Sequence, residues 1–132
     1  MKDGLVGLEM EELEGVVIAH VTGELDIAGA PHTGERIAEA VPTSARGLVV
    51  DMSELDFIDS SGVAMLFGLV RRLSSRRQEL RVVAPKGKPV ARVLEIVEFE
   101  RAAPICPDVD GALVGGAALE ARSFADIIKN SI

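Results

Sequence analysis

An α/β fold, with a mixed β-sheet begun by a hairpin and covered by helices, follows from three features of the sequence. Two strand-like runs meet at Glu14-Gly15 near the start, and helix-spaced and β-rich stretches alternate after them. The length, 132 residues with 48% hydrophobic content, suits one domain with a single core. A hairpin followed by alternating helices and strands implies a mixed sheet with helical cover.

The elements can be taken in order. LVGLEMEELEGVVIAHVTGELD puts Leu8, Met10 and Leu13 on one side of a first strand, with Val16 to Val21 as a more buried second strand. Gly23 and Gly29-Ala30-Pro31 punctuate the exit, and Glu35 to Val41 reads as a short helix ended by Pro42. GLVVDM, residues 47–52, is a β-rich run suited to a central strand buried on both faces. In DFIDSSGVAMLF, residues 56–67, four small or polar residues separate an apolar strand from a helix that begins near Ser61 and runs to about Arg77. LRVVAP, residues 80–85, is the next strand. Pro89 then opens a helix with Val90, Val93, Leu94 and Val97 at helical spacing. APICP is a short strand between Pro104 and Pro107, and a weaker helix starts near Asp108 and breaks at Gly115-Gly116. The tail sets Phe124, Ile127 and Ile128 on one helical face. Residues 120–132 are therefore expected to be a helical extension, packed back on one domain spanning 1–132.

Composition narrows the function. The chain has 14 basic and 21 acidic residues, a net charge of −7, which disfavours nonspecific nucleic-acid binding because phosphate contacts need a basic field. Without Trp or Tyr, and with four Phe, it offers no aromatic platform for stacking bases. The charge is uneven: in residues 1–70 the only basic side chains are Lys2, Arg36 and Arg46, while residues 71–101 are rich in arginine. Solvated faces of elements account for this, and a surface dipole that orients a partner is the alternative. The single Cys106 cannot form an intramolecular disulfide, no apolar run approaches ~18 residues, and the first residues lack a signal-peptide core. A cytoplasmic protein with no membrane partner is expected.

Conventional catalytic patterns do not stand out. His20, in a strand, and His32, in a Gly/Pro-rich connection, have no metal-ligand spacing to neighbours, and both read as structural or exposed. GVVIAHVTG and GKPVAR satisfy neither a dinucleotide fingerprint nor a phosphate-cradling loop. Asp51, Asp56 and Asp59 suggest turns and caps rather than a magnesium site. Cys106, between Ile105 and Pro107, reads as a small apolar residue, and the Arg71-Arg72 and Arg76-Arg77 pairs as a solvated helix end. Neither enzymatic activity nor a cofactor or metal is expected.

Asp59-Ser60-Ser61-Gly62 is different. Asp and Ser cap helices because their oxygens accept from unpaired first-turn N–H groups. Capping needs only one such residue, and it does not explain the helix that follows, where VAMLFGLV has no polar side chain. Val63, Leu66, Phe67 and Val70 can face the core while Met65, Leu69 and the bare backbone of Gly68 point elsewhere, toward a neighbouring helix or a partner. If a partner docks there, a phosphate on Ser60 would disrupt it. The helix itself could hold that phosphate on the N–H groups of Ser61, Gly62 and Val63.

VTGELDIAGAP followed by GLVVDMSELDFIDSSGVAMLFGLVRRL resembles the STAS domain of bacterial anti-sigma-factor antagonists, and PVARVLEIVEFERAAPICPDVDGAL resembles its later helix-strand-helix portion. The resemblance spans roughly residues 5–119. It implies the STAS fold and a noncatalytic protein that binds an anti-sigma factor serine kinase, freeing sigma factor. Phosphorylation by that kinase would end the binding, and a metal-dependent serine phosphatase would restore it. By position, the resemblance implies Ser60 as acceptor, with Ser61 the alternative. Asp26 and Asp59 lie near it and, with Ser61, Gly62, Met65 and Leu69, form the expected partner surface. Glu98 departs from the pattern, since many relatives carry Gly before an apolar residue there. A competing expectation is an unswitched STAS adaptor subunit of a transporter ATPase or stress-signalling assembly, with the motif hydroxyls as caps.

Overall fold

The computed structural model describes residues 6–114. The chain forms β1 (Val6–Leu13), β2 (Val16–Leu25), α1 (Ala30–Ala40), β3 (Gly47–Asp51), β4 (Leu55–Ile58), α2 (Ser60–Ser74), β5 (Glu79–Val83), α3 (Pro89–Ile96), a 3-10 turn (Phe99–Arg101), β6 (Ile105–Cys106) and α4 (Val109–Leu113). The fold is the expected α/β class, a six-stranded mixed sheet in the order β1-β2-β3-β5-β6, with β4 pairing β2. Only β1 runs antiparallel to its neighbour; β2–β3, β2–β4, β3–β5 and β5–β6 are parallel. The tail helix anticipated for 120–132, and the break at Gly115-Gly116, lie outside the described residues.

Glu14, at φ 52, and Gly15, at φ 86, make the tight hairpin connection, both in left-handed conformations that suit the turn. The central strands are covered on both faces. All five residues of β3 are buried, as a strand covered on both sides requires. Above one face, Leu48, Val50, Leu66, Leu73, Val82, Leu94 and Phe99 belong to the main core, with Leu8 and Met10 packed against its margin. On the other face, Val16, Ile18, Val49, Val83 and Cys106 form a smaller cluster with Ala112 of α4. Leu13 is not on the Leu8–Met10 side: it pairs with Val16, belongs to the second face by alternation, and is 48% exposed.

Helix α1 starts earlier than its apolar spacing suggests, at Ala30, because Pro31 fits a first helical turn whose N–H groups have no partner within the helix. Helix α3 is likewise opened by Pro89. The apolar run before the DSSG segment divides into two strands. β3 pairs with β2 from Val16 to His20, the chain turns at Ser53-Glu54, and β4 resumes beside β2 from Gly23 to Leu25. Cys106 is buried and its thiol is pushed up chiefly by that burial, which disfavours the thiolate.

After α3 the backbone turns at Glu98, which adopts φ 56 and ψ 41. A side chain there crowds the backbone, which is why a left-handed residue is usually glycine. The turn directs Phe99 into the core, edge-on to Phe67 of α2 with ring centroids 5.0 Å apart. Glu98 also pairs with Arg101 at 2.8 Å, but both side chains are exposed and the pair contributes little. Glu98→Gly is therefore expected to raise unfolding free energy by roughly 1 kcal/mol, read as a higher urea midpoint with an unchanged slope.

Candidate functional site

The site is assembled where β2 and β4 end. Their last residues, Leu25 and Ile58, are in register, and the N–H of Asp59 donates to the carbonyl of Leu25 at 3.1 Å. This bond holds the connection to α1 against the connection to α2. On the first side, the carboxylate of Asp26 accepts from the N–H groups of Ala28 and Gly29 at 3.1 and 3.3 Å, while its carbonyl accepts from Ala30 at 2.8 Å. Asp26 thus builds the turn that launches α1. On the second side, Asp59 is the N-cap of α2: one carboxylate oxygen accepts from Ser61 at 2.8 Å and from Gly62 at 3.2 Å.

This geometry alters the expectation for a phosphate. The N–H groups of Ser61 and Gly62 are engaged by the Asp59 carboxylate, and that of Val63 donates to the Asp59 carbonyl at 3.0 Å. A group on Ser60 could use them only by displacing the cap. Ser60, the first residue of α2, is exposed, and its hydroxyl makes no hydrogen bond among the described residues. Ser61 is half-buried.

Three residues expected on a partner surface are inside the protein. Met65 is 9% exposed and Leu69 3% exposed, and α1 packs against α2. A Cβ on Gly34 of α1 would lie 2.7 Å from Cγ of Met65, so the two helices cross at a glycine. Gly62 is buried too. A Cβ there would meet Ile58 Cγ1 at 2.5 Å and the Leu25 carbonyl at 2.8 Å, which makes this glycine the condition for seating α2 on the strand ends. Asp26, Asp59 and Ser61 remain at the surface or partly so, beside Ser60.

A second polar cluster escaped the sequence reading. His20 Nδ1 lies 2.6 Å from Asp51 Oδ2 and its Nε2 2.6 Å from Glu11 Oε1, linking β1, β2 and β3. Asp51 also accepts from the N–H of Ser53, fixing the turn between β3 and β4. Burial alone would lower the His20 pKa, but its bonds to Glu11 and Asp51, and their charges, outweigh that and raise it above 6.5. Alternation within a correctly registered hairpin could have placed His20 and Glu11 on one face; the bond to Asp51 needed the parallel pairing. The three aspartates weighed as a metal set turn to different tasks: Asp51 to His20, Asp59 to the helix cap, and Asp56 to the exposed side of β4. No group of three metal-ligating side chains is found among the described residues, and none of their helices is long and apolar enough to cross a membrane.

Known proteins resemble the chain in two unequal parts. Residues 7–112 match the family model of the STAS domain. The anti-sigma-F factor antagonist RsfA of Mycobacterium tuberculosis is 31% identical over 103 residues, covering 76% of this chain and 79% of that protein. The crystal structure of an anti-sigma factor antagonist from Mycobacterium paratuberculosis superposes with a TM-score of 0.73 at 26% identity, over 81% of this chain and 90% of that one. The Bacillus cell fate determinant SpoIIAA in its phosphorylated form shares the fold, with a TM-score of 0.58 at 20% identity over 76% of this chain and 91% of that one. Residues 100–131 also match the triosephosphate isomerase family model. There, 25 residues are 64% identical to the Chlamydia abortus enzyme, covering 19% of this chain but only 10% of that enzyme. The segment read as a later helix-strand-helix portion is thus shared between two likenesses over 100–112, and its last residue, Leu113, falls beyond the STAS match.

Two outcomes follow from this geometry. Gly62→Ala should cost about 1–3 kcal/mol of unfolding free energy, because the added methyl must push the helix start off a backbone carbonyl. Since His20 has a raised folded pKa, its stabilising contribution is full below the unfolded value of 6.5 and is lost as pH rises through the folded value. Urea unfolding between about pH 5.5 and about pH 8.5 should show that decline, and His20→Gln should flatten it.

Proposed function

This chain belongs to the STAS domain family, and from that premise we propose that it is an anti-sigma-factor antagonist switched off by phosphorylation of Ser60. It binds an anti-sigma factor serine kinase in the cytoplasm and frees the sigma factor that kinase would hold. The protein performs no catalysis. Its partner transfers the γ-phosphoryl group of ATP to Ser60 Oγ, leaving ADP and a proton, and a metal-dependent serine phosphatase hydrolyses the ester to reset the switch.

The observation that carries this reading is the division of labour at the start of α2. Asp59 does the capping, which leaves the exposed Ser60 hydroxyl with no structural task. If the motif hydroxyls were caps, Ser60 or Ser61 would accept the first-turn N–H groups, and neither does. A phosphate on Ser60 would add about −1.5 to −2 charges beside the Asp59 carboxylate. With the adjacent N–H groups engaged, that charge stands outward, where a partner must meet it. Asp26, Asp59 and Ser61 surround the acceptor and contact the partner. The recorded phosphorylated form of SpoIIAA, a protein of the same fold, accords with a domain that accepts the modification.

Incubation with the kinase and ATP should add one phosphate, located on Ser60 by peptide mass spectrometry. Ser60→Ala should abolish it, and Ser60→Asp should weaken the complex by at least about tenfold through the cost of burying charge. Phosphate persisting on Ser60→Ala would overturn the acceptor assignment. Recovery of a transporter ATPase as the bound partner would favour the unswitched adaptor.

A further inference from the structure

Covering Met65 and Leu69 with α1 removes the larger of the apolar side chains on which a phosphate was expected to act, and leaves α2 the small exposed side chain of Ala64 with Phe67, Gly68 and Val70 partly buried. Large hydrophobic side chains do remain exposed. Among the described residues they are Leu13, Ile27, Phe57, Ile96, Val97 and Val114. Two of these belong to the rim that carries Ser60. Ile27 follows β2 by two residues and is 77% exposed; Phe57 lies in β4, in register with Glu24, and is 46% exposed. The Asp59–Leu25 hydrogen bond joins the two segments, so Ile27, Phe57 and Ser60 each lie within three residues of it.

The two segments that carry this pair hold charge of one sign. Residues 24–28 and 54–60 contain Glu24, Asp26, Glu54, Asp56 and Asp59 and no basic residue. The cation recorded against the neighbouring turn is Lys88, whose Nζ donates to the Ser53 carbonyl at 2.9 Å. Apolar anchors within an acidic rim fit a partner that offers an apolar cleft bordered by arginine or lysine.

That charge raises a difficulty. A basic partner surface alone would welcome a phosphate, and phosphorylation would then strengthen the complex. The effect becomes inhibitory if the contact beside Ser60 is desolvated and apolar, since a dianion carried into it loses its water without gaining a cation. We infer that Ile27 and Phe57 are the anchors by which a basic-rimmed apolar cleft of the anti-sigma factor grips this rim, and that they set the sign of the phosphorylation switch. The inference rests on the antagonist reading of Ser60 and deepens it. It moves the binding energy from the flank of α2 to the loop after β2 and the end of β4.

The experiment measures affinity by titration calorimetry against the purified serine-kinase anti-sigma factors of the source genome. Wild type, Ile27→Ser, Phe57→Ser, the double variant, and each of these with Ser60→Asp are compared, with thermal unfolding as a check on folding. Ile27 stands in a loop, so Ile27→Ser keeps the test meaningful even if Phe57→Ser disturbs β4. Each single variant should weaken binding by about tenfold or more, as truncation of an anchor does, with an unchanged unfolding midpoint for Ile27→Ser. Ser60→Asp should cost much less affinity in the double variant than in wild type, a coupling that a purely structural role would not produce. Followed by stopped-flow mixing of the same proteins, higher salt and Asp56→Asn should both slow association, since rim charges act on the encounter. Wild-type binding that Ile27→Ser and Phe57→Ser leave unchanged, or an equal Ser60→Asp penalty in both backgrounds, would overturn this inference alone. Absence of wild-type binding to every such factor would overturn the antagonist reading and this inference with it.

Discussion

The contact between the first turn of α2 and the ends of β2 and β4 is the constraint on which the rest of the site depends. Asp59 works in both directions there, its N–H bonded to Leu25 and its carboxylate to Ser61 and Gly62. Gly62 lets the helix sit on the Leu25 carbonyl, a position with no space for a methyl group. Because the cap is Asp59, Ser60 is released from structural duty and left in solvent. Because the helix is seated so closely, Val63, Met65, Leu66 and Leu69 of its apolar run are buried. The same few atoms thus decide both what is exposed and what is hidden.

The sheet carries this arrangement through its parallel pairing. The ends of β2 and β4 align because β3 leaves β2 at Asp51, turns, and returns as β4. Asp51 lies at that departure, bonded to His20 within the sheet and to Ser53 in the turn. The Glu11–His20–Asp51 chain therefore ties the edge hairpin to the strand that delivers the site. It lies on the sheet face opposite the helices α1 and α2, by the alternation that places Ala19 and Val21 in the main core. A polar network there specifies register, since a one-residue slip would move His20 into the apolar core.

The end of the chain illustrates how a local sequence can be legible in two ways. Asp108 caps α4 through the N–H of Gly111 at 2.6 Å, and Ala112 fills the second core face. Those residues serve the STAS sheet, while the stretch from 100 to 131 also matches part of a triosephosphate isomerase. A match to a tenth of that enzyme's length does not carry its activity.

The sequence by itself determined the fold class, the order of the elements and the family, and it singled out the DSSG segment at the start of α2. Hydrophobic periodicity, prolines at helix starts and the DSSG segment are local signals, and local signals survive without coordinates. It also exposed the anomaly at Glu98, which the structure resolves as a left-handed residue. Tertiary structure alone decided which surfaces remain free. The run from Val63 to Val70 is apolar all round, and nothing within it tells a flank covered by α1 from one awaiting a partner. Nor could the sequence assign the first-turn N–H groups to Asp59, since Asp59, Ser60 and Ser61 can all accept them. The partnership of His20 with Asp51, 31 residues apart, likewise depends on which strands become neighbours. Those outcomes depend on packing between distant segments, so only the assembled chain contains them.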